Sequence, residues 1–237
     1  MLKWAIQRAV RLLRNPGFTF HPSVSGSMVA RLAWDSLVSL QRGFWLTIRG
    51  GRPRALFLGR GVRLVHLEKI RFGSGVRLGD HVHVSALGKE VVLGDHVSIG
   101  AFSRVIVSTS YDHPGEFIRI GNNVGIGEFA YLGGAGGLEI GEDTIVGQYL
   151  SVHPENHVSS DLLQPIRKQG VTREGIRIGR NCWIGAKVTI LDGVTLGDGC
   201  VVAAGAVVTR SFPENVILGG VPARILKDRA GHGAGHG

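Results

Sequence analysis

The chain has 237 residues, 43% of them hydrophobic, with 37 glycines and a formal net charge of +9. That suffices for one main domain with a sizeable core, and the glycine content comes without low complexity, as in a fold that turns often. No apolar run approaches the length of about 18 residues that a spanning helix needs, so none is expected.

The charge is uneven along the chain. Eleven of the 27 Lys and Arg residues stand at or before Arg63, where Asp35 is the single acid, and the remaining 16 basic and 17 acidic residues nearly cancel. On a helical wheel Leu2, Ala5, Ile6, Ala9, Leu12 and Leu13 share a sector of about 120°, opposite Lys3, Arg8, Arg11 and Arg14. This predicts a basic amphipathic helix ending near Asn15, Pro16 and Gly17. Arginines interrupt any apolar core of a signal peptide, which disfavours a cleaved leader and leaves a cytoplasmic protein expected. A second apolar stretch from Val29 to Ile48 carries Trp34, Phe44 and Trp45 between Arg31, Arg42 and Arg49, and predicts another helix. Two roles stay open for residues 1–50: peripheral contact with an anionic membrane on its inner face, with Trp4 at headgroup level, or capping of the open end of the fold that follows. No motif of a nucleic-acid reader accompanies the charge, so nucleic acid is not expected as a partner.

From Ile178 every sixth residue is aliphatic: Ile184, Ile190, Leu196, Val202 and Val208 follow. The same phase runs through Ile140, Val146 and Val152, through Ile120, Ile126 and Leu132, and through Leu93, Ile99 and Val105. It continues more weakly through Leu78 with Val84, and Leu58 with Leu64 and Ile70. A period of six is neither helical nor simple strand alternation. It predicts an all-β solenoid of about seven triangular coils, with aliphatic side chains stacked inside at rungs roughly 4.8 Å apart. The organisation expected is 1–57 basic helical region, 58–211 solenoid, 212–237 C-terminal extension with a disordered glycine-rich tail holding His232 and His236. Cys182 and Cys200 share the fifth hexad position one coil apart, where they read as small apolar fillers.

Two long insertions break the phase, between Val105 and Ile120 and between Val152 and Ile178. A solenoid does not need such loops for packing, so they are where function is expected. The first holds His113, either as an acceptor-pocket residue or within a turn made by Asp112, Pro114 and Gly115. The second holds His153 and His157. His81, His83 and His96 read as surface rungs.

The segment IGRNCWIGAKVTILDGVTLGDGCVVAAGAVVTRSFPENVILGGVPARILK, from Ile178 to Lys227, resembles the hexapeptide-repeat acyltransferases. The nearest branch holds galactoside, maltose and nodulation-factor acetyltransferases with exopolysaccharide O-acetyltransferases. The match is continuous from about Ile140 and looser back to about Leu58. The resemblance implies a left-handed parallel β-helix, an acetyl-CoA co-substrate, no metal, a saccharide acceptor in surface polysaccharide or lipid-linked glycan synthesis, and a homotrimer with sites between subunits.

Carried over residue by residue, the resemblance implies that His157, reached through IGEDTIVGQYLSVHPENH, is the general base, with His153 as rival. Glu155 or Asp161 would orient the ring. A sugar hydroxyl attacks a thioester at a useful rate only if its proton is removed in the transition state, which histidine does at neutral pH. Ala186 and Ala204 would contact coenzyme A through the main chain; Thr209 and Arg210 in VVTR, and Arg224 and Lys227 in PARILK, complete the cofactor set. Trp183 would face outward as a wall of the site or an interface residue. One departure stands out: the asparagine that the small-sugar enzymes use for the acceptor falls at Gly127, and GGAGGLE lacks their acidic partner. Two other functions on this solenoid are a γ-class carbonic anhydrase-like zinc enzyme, for which no third histidine has the spacing, and a non-catalytic trimeric scaffold.

Overall fold

The structure is a computed structural model and describes residues 2–13, 16–48 and 55–232; Arg14, Asn15, Arg49 and His236 lie outside the described residues. Two helices, α1 (Leu2–Leu13) and α2 (Gly26–Ile48), precede the repeat. The turn at Pro16 and Gly17 separates them, and Lys3 Nζ ties α1 to the carbonyl of Val24 at 2.7 Å.

Seven coils follow as a left-handed parallel β-helix. The first sheet carries parallel strands from Phe57–Leu58 through Trp183–Ile184 to Val216–Gly220. The second runs from Arg63–Val65 through Ser151–His153 to Val207–Val208. The third runs from Ile70–Phe72 to Thr195–Leu196. Stacking is in register: Ile126 lies over Val146, Val152 over Ile190, Ile140 over Ile178. Because every strand turns one alternate side chain inward, the six-residue aliphatics form a column, and all those named above are buried except Leu64, which packs against the core half-exposed. The first coil is irregular, with a short 3-10 turn at Leu67–Lys69 before its third strand.

Each corner demands a left-handed backbone, and His81, His96, Asn123, Phe129, Asp143, Tyr149, Asn181 and Lys187 supply it at φ between 52° and 60°. His81 and His96 are therefore corner residues. His83 instead points outward from a strand between Arg63 and Arg104, its Nε2 buried without a hydrogen-bond partner. Helix α2 covers the first rung: Gly43 sits so close that a Cβ there would meet the Leu56 carbonyl oxygen, and Arg42 Nη1 donates to the Leu58 carbonyl at 3.2 Å. At the other end Val216–Gly220 and Ala223–Asp228 form an antiparallel pair, and Arg229–His232 form a 3-10 turn. His232 closes that turn, and the disordered tail expected around His236 falls outside the described residues.

Candidate active site

Both insertions leave the solenoid at the same corner, between the second and third sheets. The first, residues 107–114, belongs to the third coil, and the second, 154–175, to the fifth. The fourth coil turns that corner in Gly133, Gly134, Ala135, Gly136 and Gly137. Side chains would not fit at Gly134 or Gly136: a Cβ on Gly134 would lie 2.6 Å from Ile118 Cγ1, and one on Gly136 2.6 Å from the Pro154 carbonyl oxygen. The glycine run is thus the floor of a trough with one loop on either side.

Within the trough is a cavity of about 260 Å³, lined among others by Ser108, Ser110, Tyr131, His153, His157 and Arg173. His153 ends the strand Ser151–His153; its Nε2 lies 2.7 Å from Ser151 Oγ and its ring stacks on Tyr131 at 5.3 Å. His157 stands on a two-stranded ribbon inside the loop, where Asn156 pairs with Thr172 and His157 with Val171. Its ring is exposed, with no hydrogen bond among the described residues.

Neither orienting carboxylate expected from the sequence reaches a histidine. Glu155 Oε2 accepts from Arg173 Nε at 2.7 Å. Asp161 is used by its own turn, accepting from the Leu163 N–H at 2.9 Å and from Gln164 Nε2 at 2.7 Å. Arg173 is the residue that sequence reasoning missed. Besides Glu155, its guanidinium donates to the carbonyl oxygens of His113 and Pro114 at 3.2 to 3.3 Å, clamping the two loops together. His113 contributes that carbonyl, while its side chain stays exposed beside Asp112 in the turn alternative.

The residues expected to hold the donor gather elsewhere. Ala186 and Ala204 stack on the corner between the first and second sheets in the sixth and seventh coils. A Cβ added at the neighbouring Gly205 would meet nothing within 4 Å, so the backbone there is open to a ligand. Thr209 and Arg210 follow the last strand of the second sheet, Arg210 packing over Phe212, and Arg224 and Lys227 lie exposed on the final antiparallel strand. Small residues with exposed cations beyond them fit a thioester arm and its nucleotide phosphates. Trp183 faces outward beside exposed Ile145 on the first sheet and is 60% exposed. Gly127 sits at the corner of the fourth coil, where a Cβ would lie 2.6 Å from the Gln148 nitrogen. Among the described residues, no three His, Cys, Asp or Glu side chains come together as a metal-binding group.

Residues 175–210 match the family model for the hexapeptide repeat of succinyl-transferase. Over that segment the chain carries the repeat that the model describes, and it is similar to proteins named as acetyltransferases. It is 29% identical over 177 residues to a Mycobacterium tuberculosis protein named probable acetyltransferase Rv3034c, covering 73% of this chain and 50% of that protein. It is 35% identical over 96 residues to the galactoside O-acetyltransferase of Escherichia coli, covering 38% of this chain and 44% of that protein. The chain thus spans about half the length of the curated relatives it matches. Among solved structures, AntD, an N-acyltransferase from Bacillus cereus in complex with dTDP and 3-hydroxybutyryl-CoA, shares the fold with a TM-score of 0.53 at 20% identity, covering 79% of this chain and 88% of AntD. This hexapeptide-repeat chain differs from a bare solenoid in the two loops.

Proposed function

We propose that this chain transfers an acetyl group from acetyl-CoA to a saccharide hydroxyl, with His157 as general base. The observation that carries the reading is the trough between the loops, which brings two histidines to one solvent-open cavity in a chain that carries this repeat. His157 is preferred because its ring carries no hydrogen bond among the described residues and so has a nitrogen ready to take a proton, whereas Nε2 of His153 is engaged by Ser151.

The bound donor supplies the activated acyl group as a thioester, so no acyl-enzyme is needed. His157 takes the acceptor hydroxyl proton as the oxygen attacks the acyl carbon; the C–S bond then breaks and the proton passes from the imidazolium to the leaving thiolate. Ala186, Ala204, Thr209, Arg210, Arg224 and Lys227 would hold the donor. Their corner differs from that of His157, which supports a homotrimer whose sites combine two chains. The name of the galactoside O-acetyltransferase relative supports a sugar acceptor. The bare glycine floor at Gly133 to Gly137, with Gly127 pressed against the next rung, argues for an acceptor other than that of the small-sugar enzymes and fits a surface or lipid-linked glycan.

Mass spectrometry of surface glycans from cells producing wild type, His157→Ala or His153→Ala tests the proposal. Acetylation lost only with His157→Ala is expected. Equal acetylation by wild type and His157→Ala would overturn the mechanism, and failure of the chain to bind coenzyme A by calorimetry would overturn the activity.

A further inference from the structure

Helix α2 has two apolar faces. Val29 and Gly43 are buried on one, and Leu46 packs against the solenoid core there. On the opposite side Ala30, Trp34, Leu37, Phe44 and Trp45 fall within a sector of about 100° on the helical wheel. Four of these are large and face water: Trp34 is 65% exposed, Leu37 58%, Phe44 60% and Trp45 62%. Met28 and Leu32 on α2, and Trp4 on α1, are exposed to a similar degree. Exposed Gln41 shares that sector, and Met28 and Leu32 lie on the other side of the wheel, but four large exposed apolar side chains on one face of one helix mark a contact surface, because single scattered apolar residues are the rule elsewhere.

A basic groove borders the stripe. Between α2 and the first three rungs of the first sheet lies a cavity of about 660 Å³, lined by Arg31, Trp34, Arg42, Arg60 and Arg77 among others. Its two acids are both engaged: Asp80 Oδ1 accepts from the Arg60 backbone N–H at 2.7 Å, and Asp35 lies 3.9 Å from Arg31. On the wheel Arg31 and Arg42 stand directly beside Trp45 and Trp34. Tryptophan next to arginine is the pairing that a bilayer interface selects, with the ring at headgroup depth and the guanidinium on phosphate.

We propose that α1 and α2 form a docking surface for an anionic lipid bilayer, with the aromatic stripe entering the interface and Arg31 and Arg60 meeting lipid phosphates. Charge decides for lipid over a second copy of the chain: eleven basic residues against one acid up to Arg63 would face their own like. No helix among the described residues is long and apolar enough to cross a membrane, and α2 presents its stripe sideways, so the contact is peripheral. The inference holds whether or not the chain acetylates a saccharide.

The test is co-sedimentation of the full chain with vesicles of phosphatidylcholine alone or with phosphatidylglycerol added. Binding only to the mixed vesicles is expected, fading as salt rises and weakening about fivefold for each of Arg31→Gln and Arg60→Gln. The Trp34→Ser, Trp45→Ser double variant, folded by circular dichroism, should bind about tenfold or more weakly with all arginines in place. Wild type that ignores the mixed vesicles, or a double variant that binds them as tightly, would overturn the proposal. So would sedimentation velocity in which those serines dissociate a stable oligomer that does not bind vesicles.

Discussion

Arg173→Ala should disable the site without unfolding the solenoid. The wild-type guanidinium makes an ion pair with Glu155 at 2.7 Å and donates to the His113 and Pro114 carbonyls at 3.2 to 3.3 Å. A well-aligned charge-assisted bond nets about 1.5–3 kcal/mol, but the carbonyl contacts are long. The side chain is also 22% exposed, which brings the ion pair toward about 1 kcal/mol. The sum is about 2–3 kcal/mol: the ion pair with Glu155 closes the second loop on itself beside the ribbon Asn156–His157 and Val171–Thr172, and the carbonyl contacts hold that loop against the one at 107–114. At 1.4 kcal/mol per tenfold, the ratio of ordered to disordered loop falls about 30- to 150-fold, and acetyl incorporation from labelled acetyl-CoA should fall by up to that factor. The donor KM should stay put, because Ala186 and Ala204 stand on another corner. Amide hydrogen exchange across 156–172 should accelerate in parallel, and Arg173→Lys should recover only part of the loss, having no fork to span three acceptors. Full activity in Arg173→Ala with unaltered exchange would refute the clamp.

Ile184→Ala removes a fully buried side chain stacked between Val146 and Val202, and should cost about 2–5 kcal/mol in a urea titration. Burial, then the flanking Arg63 and Arg104, hold the His83 pKa below the ordinary histidine value. The folded state therefore keeps His83 neutral while the unfolded chain protonates below about pH 6.5, so its contribution to stability is present above that pH and lost below it. Between about pH 7.5 and pH 5.5 wild type should lose more stability than His83→Gln, and equal losses would contradict the assignment. Cys182 and Cys200 are both buried, and the hydrogen bond to Cys200 together with burial pushes the Cys182 thiol up. A thiol-alkylating reagent followed by mass spectrometry should label neither cysteine until the chain unfolds.

The coils were legible because their signal is local and repeated: a strand that turns every six residues must bury the same hexad position each time, so Ile140 and Ile178 declare their stacking in the sequence itself. The loops were legible as failures of that phase. What they hold was not. Arg173 meets His113 across 60 residues, and no period links such a pair. Nearness in sequence misled as well, since Asp161 stands four residues from His157 yet is consumed by the Leu163 N–H and Gln164. Helix α2 was predicted, but an apolar helix does not reveal which of its faces meets the protein; only exposure separates Val29 from Trp45.

A triangular solenoid keeps its corners apart, and that has a kinetic consequence here. Ala186 and Ala204 occupy the corner between the first and second sheets, His157 the corner between the second and third, so a whole sheet separates proposed donor wall and proposed base in one chain. Packing three solenoids side by side would set the donor corner of one against the base corner of the next. Chains carrying His157→Ala and chains carrying Ala204→Trp, each inactive alone, should then rescue one another when unfolded together in equal amounts and reassembled. A working site needs its base from the second kind and its donor wall from the first. Random mixing therefore restores about a quarter of wild-type activity. Ala204 is exposed, so the tryptophan can be accommodated without disturbing the core. A mixture that stays inactive, while each variant still assembles and His157→Ala still binds coenzyme A, would mean that base and donor meet within a single chain, and the shared-site reading would fall.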